Sequence, residues 1–118
     1  MKSLLQFITE DDESNMNFLL SINKLLDTLG YKPVKDDWDV FDNKTERVYR
    51  HSAWRSGGYV IFNLNGEMWG RVNIVYPNKV KFSVKNYETR DTATEQTFNG
   101  NEFQEAYNKI EEFLNKVL

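Results

Sequence analysis

The chain of 118 residues contains no cysteine. This absence excludes a disulfide framework, a thiolate zinc site and a cysteine nucleophile. His51 is the only histidine, so the companions that a catalytic triad or a histidine-based metal site requires are missing. We therefore expect a protein that is not an enzyme and that carries no metal ion and no cofactor.

Long apolar runs are also missing. No run approaches the roughly 18–20 residues that a membrane-spanning helix requires. The N-terminal apolar stretch (Leu4, Leu5, Phe7, Ile8) is interrupted by Gln6 and is followed by acidic residues, unlike a secretory signal. We expect a protein that acts inside a cell or a virus particle, without a membrane partner.

Charge is distributed unevenly, although the net charge is only −3. Residues 11–46 hold nine acids and four bases, and residues 91–118 hold six acids and two bases. Between them, residues 47–90 hold eight bases and two acids. A basic middle between acidic flanks indicates a charged interaction surface, since charge patterning informs on partners more than on fold.

Hydrophobic periodicity predicts an α+β fold. Apolar residues recur at helical spacing over residues 14–29 and 103–117, and Ser14 and Asn101 are the expected helix starts. The period changes to two between these helices, with turns predicted at Asn65-Gly66 and Pro77-Asn78. We expect one domain over residues 11–118, with a four-stranded antiparallel meander sheet and both helices packed on one face. Residues 31–43 are expected to form a loop.

Alternation along the strands separates the two faces of the predicted sheet. The face expected to meet the helices carries Val60, Phe62, Leu64, Met68, Val72, Ile74, Val80, Phe82 and Val84. The opposite face is expected to carry His51 and the candidate partner-binding residues Arg47, Tyr49, Arg55, Tyr59, Trp69, Arg71, Lys81, Lys85 and Tyr87. Such a surface suits an acidic protein partner or stacked bases and phosphates. Alternatively, it is a solvated face on which the stems of lysine and arginine cover aromatic rings.

The acidic segment Asp36–Asn43 and the glycine-rich segment Ser56–Gly58 are weaker candidates for sites. Asp37, Asp39 and Asp42 lack the alternate spacing, the glycine and the late glutamate of a calcium loop. Ser56–Gly58 lies between two predicted strands and does not open a helix, so we interpret it as a turn and not as a phosphate loop.

The first ten residues carry the most specific pattern. They read Met-Lys-Ser-Leu-Leu-Gln-Phe-Ile-Thr-Glu, in which Ser3 and Gln6 fit a capping box. This segment resembles the capsid-targeting leader of internal head proteins of T-even-type tailed phages, which opens with Met-Lys and a hydroxyl residue and closes with Phe-Ile-x-Glu. Leu4 and Leu5 depart from the commonest form of that leader. The resemblance implies cleavage by the prohead protease after Glu10, with Ile8 two residues earlier and Asp11 as the new N-terminus.

The resemblance also implies a function. Proteins with this leader are packaged in the phage head and ejected with the DNA into the host cytoplasm. Some of them inhibit a host defence protein such as a restriction enzyme. We therefore expect a virion protein that binds a host protein without catalysis. The alternative is a nucleic-acid-binding module that uses the same basic-aromatic face.

Overall fold

Three α-helices and six strands form from residues 10–54, 57–64, 66–75 and 79–117, which are the residues that the computed structural model describes. The helices are α1 (Glu10–Thr28), α2 (Asp37–Asp42) and α3 (Phe103–Val117). The strands are β1 (Lys32–Pro33), β2 (Val48–Trp54), β3 (Gly57–Asn63), β4 (Met68–Val75), β5 (Lys79–Asn86) and β6 (Thr92–Phe98).

The strands form a single sheet in sequence order, β1 to β6. Strands β2 to β6 pair antiparallel with their neighbours, whereas β1 pairs parallel to β2. The predicted α+β class is confirmed. The predicted count of four strands is wrong, because the described sheet has six and is mixed. Strand β1 was missed because two residues are too few to show a period.

Both long helices pack on one face of the sheet, which we call the helix face. One core cluster joins Leu19, Ile22 and Leu26 of α1 to Ile110 and Leu114 of α3 and to the inward residues of β3, β4 and β5. All nine residues predicted for the helix face lie in this cluster or pack against it. The prediction of two helices on one side is therefore confirmed, and α2 is the additional third helix.

The C-terminal end of α1 was predicted correctly, whereas its N-terminal start was not. Gly30 ends the helix with φ +91°, and the N–H groups of Gly30 and Tyr31 donate to the carbonyls of Asp27 and Leu26. This pattern is a Schellman motif, as expected for glycine after a helix. The predicted start at Ser14 is wrong, because α1 begins at Glu10. Acidic residues at positions 10–13 suit the first turn of a helix, where negative charge is favourable.

The predicted start of α3 at Asn101 lies in a 3₁₀ turn that precedes the helix. A capping box forms between Asn99 and Glu102, and the Asn99 N–H donates to Glu102 Oε1 at 2.9 Å. A single 3₁₀ turn (Gly100–Glu102) leads from this box into α3. The side-chain amide of Gln104 donates to Asn108 Oδ1 at 3.0 Å, one turn further along the helix.

The predicted loop over residues 31–43 contains β1 and α2. Asp36 caps α2, since its side chain accepts a hydrogen bond from the Asp39 N–H at 3.2 Å. Asp37 and Asp39 add negative charge to the first turn. A six-residue helix is too short to show a clear apolar period, so its signal in the sequence is the cap and not the periodicity.

The two edges of the described sheet differ. Strand β1 ends one edge with two residues, one of which is Pro33. Strand β6 ends the other with seven residues, and its central residue Glu95 lies 3.3 Å from Lys81 Nζ on β5. No helix in the described part of the chain is both long and apolar enough to cross a membrane.

Phe62 fixes the spacing between β3 and β4 in the core. Gly70 lies opposite Phe62 in the register, and a Cβ atom on Gly70 would lie 2.6 Å from Phe62 Cε2 and Cζ. The other side of the Phe62 ring meets Tyr31 edge-on, with the ring centroids 6.1 Å apart. Phe62 therefore occupies the space that a side chain at position 70 would need.

We predict that Gly70→Ala lowers the free energy of unfolding by about 1–3 kcal/mol, because the Phe62 ring must move to admit the new methyl group. Denaturant unfolding measures the change. Val75→Ala on the same strand is the matched control. Val75 is exposed, so its replacement should alter the free energy by less than about 0.5 kcal/mol. Equal stability of Gly70→Ala and the parent chain would contradict this account of the core.

Candidate binding face of the sheet

Six of the nine predicted partner-binding residues lie together on the face opposite the helices, which we call the second face. The register sets Tyr59 beside Asn73 and Lys81, and Trp69 beside Lys85. Arg71 lies between Trp69 and Asn73 on the same face of β4, opposite Ile61 of β3 and Ser83 of β5. Tyr87 follows β5 directly and its ring contacts Phe41. The alternation of β3, β4 and β5 was therefore assigned correctly.

Strand β2 was assigned to the wrong face. Tyr49 pairs with Phe62 and His51 with Val60, so both side chains lie on the helix face. Tyr49 is buried there and donates from its hydroxyl to Asp27 Oδ1 at 2.7 Å. The reason is that β2 alternates between two mixed sets of residues, and neither set is clearly apolar.

Arg47 lies away from the second face as well. Its guanidinium Nη1 donates to the carbonyl of Leu29, at the end of α1. Arg55 and Ile8 lie outside the described residues. Glu10 and Asp11, which flank the expected cleavage position, form the first turn of α1.

Helix α2 covers part of the second face. It lies against β2 and β3, and Val40, Val48 and Ile61 are buried in this region. Because α1 contacts the other face of the same two strands, β2 and β3 are covered on both sides. Arg50, which the sequence analysis did not select, lies on the second face and approaches Asp37 of α2 to 4.0 Å.

Phe41 joins α2 to the sheet through two aromatic contacts. Its ring centroid lies 5.3 Å from that of Trp69 and 6.1 Å from that of Tyr87, and both pairs are edge-to-face. Trp38, one turn earlier on α2, meets Phe41 at 6.2 Å in the same geometry. Edge-to-face pairs at these distances are attractive beyond the area they bury. Four aromatic side chains are thereby gathered at one end of the second face.

Hydrogen bonds add to the attachment of α2. The Tyr59 hydroxyl donates to the Asp37 carboxylate at 3.0 Å, and the Tyr87 hydroxyl donates to the Val40 carbonyl at 3.4 Å. Burial, followed by the hydrogen bond to Asp37, raises the pKa of Tyr59. Burial alone raises the pKa of Tyr87. Both hydroxyls therefore remain protonated donors at neutral pH.

Asn63 holds the segment that follows α2. Its side-chain amide donates to the carbonyls of Asn43 and Glu46, the latter at 3.1 Å, and Asn63 itself is buried. A buried amide that bonds two backbone carbonyls restricts the path of the intervening residues. Lys44, which lies between these two contacts, is thereby kept beside the aromatic cluster.

Three aromatic rings of the second face have a cation over them. Arg71 lies 5.3 Å from the Tyr59 centroid, Lys85 lies 5.9 Å from the Trp69 centroid and Lys44 lies 5.2 Å from the Tyr87 centroid. These are cation–π distances. The rings are therefore partly covered by the molecule's own cations, as in the interpretation of a solvated face.

A groove of about 520 Å³ opens beside the aromatic cluster. Its residues are Trp38, Phe41, Asp42, Lys44, Trp69, Lys85, Tyr87 and Arg90. Trp38 is 72% exposed and forms the outer wall. Three cations and one carboxylate surround the aromatic surface, so the groove has an excess of positive charge. Arg90 is the described non-glycine residue with a positive φ, 61°, in the turn between β5 and β6.

A larger groove of about 810 Å³ runs between α1 and α3. Its floor contains Phe18 and Phe103, whose ring centroids lie 4.9 Å apart, and its walls are mostly serine, asparagine, threonine and charged residues. The aromatic groove is the better candidate site because it combines exposed aromatic surface with convergent charge. Among the described residues, no group of three or more His, Asp or Glu side chains is placed to hold a metal ion.

Comparisons with models of protein families, with curated proteins and with solved structures found no match to this chain.

Several residues of the groove were not selected from the sequence, namely Trp38, Phe41, Asp42, Lys44 and Arg90. Trp38, Phe41 and Asp42 lie in the segment over residues 31–43 that was interpreted as a loop. The signal for the first three was Asp36 in the position of a helix cap, which would have placed Trp38 and Phe41 three residues apart on one side of a helix. No signal in the sequence indicated that Arg90 would reach this groove.

His51 provides a test of the corrected position of β2. Burial on the helix face, followed by the charge of Arg50, lowers the pKa of His51 below its usual 6.5, and Asp27 opposes this effect. The folded protein therefore takes up the proton less readily than the unfolded chain. The contribution of His51 to the free energy of unfolding is fully present above about pH 6.5 and is lost as the pH falls below that value.

We predict that the parent chain loses more stability between pH 7 and pH 5 than His51→Gln does. Denaturant unfolding of both proteins over this range measures the difference, and the carboxylates common to both proteins contribute equally. Identical pH dependence in the two proteins would place His51 on an accessible surface and contradict the assignment of β2.

Proposed function

We propose that this chain is an internal head protein of a tailed phage, packaged with the DNA and ejected into the host cytoplasm. There it binds and inhibits a host defence protein, such as a restriction enzyme, without catalysing a reaction. Two features support the proposal. The first ten residues resemble a capsid-targeting leader, and six basic or aromatic residues lie together on the second face. The second of these features is the observation on which the binding role rests.

The composition of the face favours a protein partner. Tryptophan, tyrosine and arginine are the side chains that contribute most to protein interfaces, and they occur here together. Trp38 stays 72% exposed although it lies beside three other aromatic rings. The open part of the face carries Arg71, Asn73, Lys79 and Lys81, of which Arg71 and Lys79 are exposed. A partner with an acidic surface would complement this strip.

A nucleic-acid-binding module is the alternative function. The positive strip also fits phosphate, but Asp39 and Asp42 of α2 and its N-cap residue Asp36 lie beside the same face and oppose a polyanion. Binding to DNA or RNA through several phosphates would weaken steeply with salt, whereas a protein complex with fewer ion pairs would not.

Processing of the leader is the first prediction of this proposal. Protein recovered from purified virions should begin at Asp11 by N-terminal sequencing and intact mass. The reason is the Ile8-Thr9-Glu10 sequence, which fits the cleavage pattern of the family that it resembles. Protein that begins at Met1 in virions would contradict the processing step, and absence of the protein from virions would contradict packaging.

The second prediction concerns the face. A phage that lacks this protein should plate less efficiently on at least one strain in a panel of hosts that each carry one defence system. The wild-type protein should restore plating, whereas Arg71→Glu with Lys79→Glu should not, because reversed charges repel an acidic partner. Both residues are exposed, so the double variant should fold.

Lys24→Glu with Lys109→Glu is the matched control. It changes the net charge by the same amount at exposed positions on α1 and α3, away from the second face. This control should restore plating like the wild type. Equal plating of the deletion phage on every strain would contradict the inhibitory function, and failure of the control variant alone would move the contact to the helices.

A further inference from the structure

The second face already binds one acidic, aromatic segment of its own chain. Helix α2 brings Phe41 against Trp69 and Tyr87, with ring centroids 5.3 and 6.1 Å apart, and places the Asp37 carboxylate 3.0 Å from the Tyr59 hydroxyl. Helix α2 thus supplies the Phe41 ring to the aromatic surface and the Asp37 carboxylate to the hydroxyl donor of Tyr59. The second face therefore binds an aromatic ring with a carboxylate nearby.

The groove offers an aromatic surface beside positive charge to a ligand from outside the chain. Trp38 presents most of its surface to solvent, and Phe41, Trp69 and Tyr87 continue the aromatic wall inward. Lys44, Lys85 and Arg90 stand at the rim with only Asp42 to balance them. No ion pair of these three cations with a carboxylate within 4.0 Å is found among the described residues. The rim therefore carries positive charge that a ligand can neutralise.

We propose that the groove is the anchoring site for a short acidic segment of the protein partner, in which one aromatic side chain is flanked by carboxylates. The ring enters between Trp38 and Trp69, and the carboxylates meet Lys44, Lys85 and Arg90. This inference rests on the proposed function, since it names the part of the partner that the second face recognises.

Size and charge support a short segment over a continuous polyanion. A volume of about 520 Å³ is in the range of small-ligand sites and holds one large side chain with its neighbours. A nucleic-acid strand that filled the groove would continue past α2, where Asp36 and Asp42 are exposed and would repel its phosphates. A peptide can present its carboxylates to the rim alone.

The direct test uses the full chain and end-blocked peptides of known sequence. Asp-Asp-Phe-Asp-Asp is the probe, Asp-Asp-Ala-Asp-Asp lacks the ring and Asn-Asn-Phe-Asn-Asn lacks the charges. A five-nucleotide oligothymidylate is the nucleic-acid comparison. Binding is followed by the NMR shifts of the indole N–H groups of Trp38 and Trp69.

We expect the first peptide to shift both indole signals and the two altered peptides to bind at least about tenfold more weakly, since each lacks one of the two recognised features. Lys85→Gln should weaken the first peptide roughly fivefold, as expected for loss of one ion pair. Lys109→Gln, an exposed lysine on α3, is the matched control and should leave its affinity unchanged. Trp38→Ala should abolish the ring preference while the Trp69 signal still reports binding.

The results separate this inference from the function on which it rests. Absence of any shift at millimolar peptide, equal binding of the ring-free peptide, or tighter binding of the oligonucleotide would each overturn the assignment of the groove. If the peptide fails while the charge-reversal variant still abolishes the anti-defence phenotype, the function stands and the groove is not its anchor. If the peptide binds while the phage that lacks this protein has no phenotype, the assignment of the groove is supported and the inhibitory function is contradicted.

Discussion

The packing of Phe41 against Trp69 and Tyr87 determines what the second face of the sheet offers. Without this contact, α2 would be a six-residue helix, too short to persist in water, on a chain segment between two strands. With it, α2 buries Val40, supplies Asp37 to Tyr59 and holds Trp38 at the edge of a groove. The position of the Phe41 ring therefore decides which part of the second face α2 covers, where the groove lies and which basic residues remain open to solvent.

The contact of Phe41 with Trp69 and Tyr87 also explains how the charge asymmetry of the sequence is arranged in the structure. The basic middle of the chain forms the sheet, and an acidic segment from the N-terminal flank folds onto one part of it. Positive charge is partly neutralised within the molecule, at Lys81 by Glu95 and at Arg50 by Asp37, and remains open on this face at Arg71, Lys79 and the groove rim. A modest net charge therefore conceals a localised positive surface, which is the property that selects partners.

The sequence predicted the parts of the fold that repeat and missed those that do not. Residues 59–86 alternate clearly, so the helix face and six of the candidate residues were placed correctly. Strand β2 was misplaced because burial on both sides removes the contrast between its two faces. The cap at Asp36 is a local signal for α2, but the contacts of Phe41 with Trp69 and Tyr87, which form the groove, are tertiary and have no local pattern. The groove could therefore not be predicted from the sequence.

The exposed edge at β6 bears on how such a protein behaves when it is concentrated. An antiparallel pair of two β6 strands centred on each other would set Glu95 opposite its own copy, and like charges at directly opposed positions are unfavourable. A charge at the middle of an edge strand is one of the means by which natural sheets avoid joining end to end. Lys81 keeps that carboxylate in position at 3.3 Å. Glu95 thus opposes the joining of two sheets through their β6 edges.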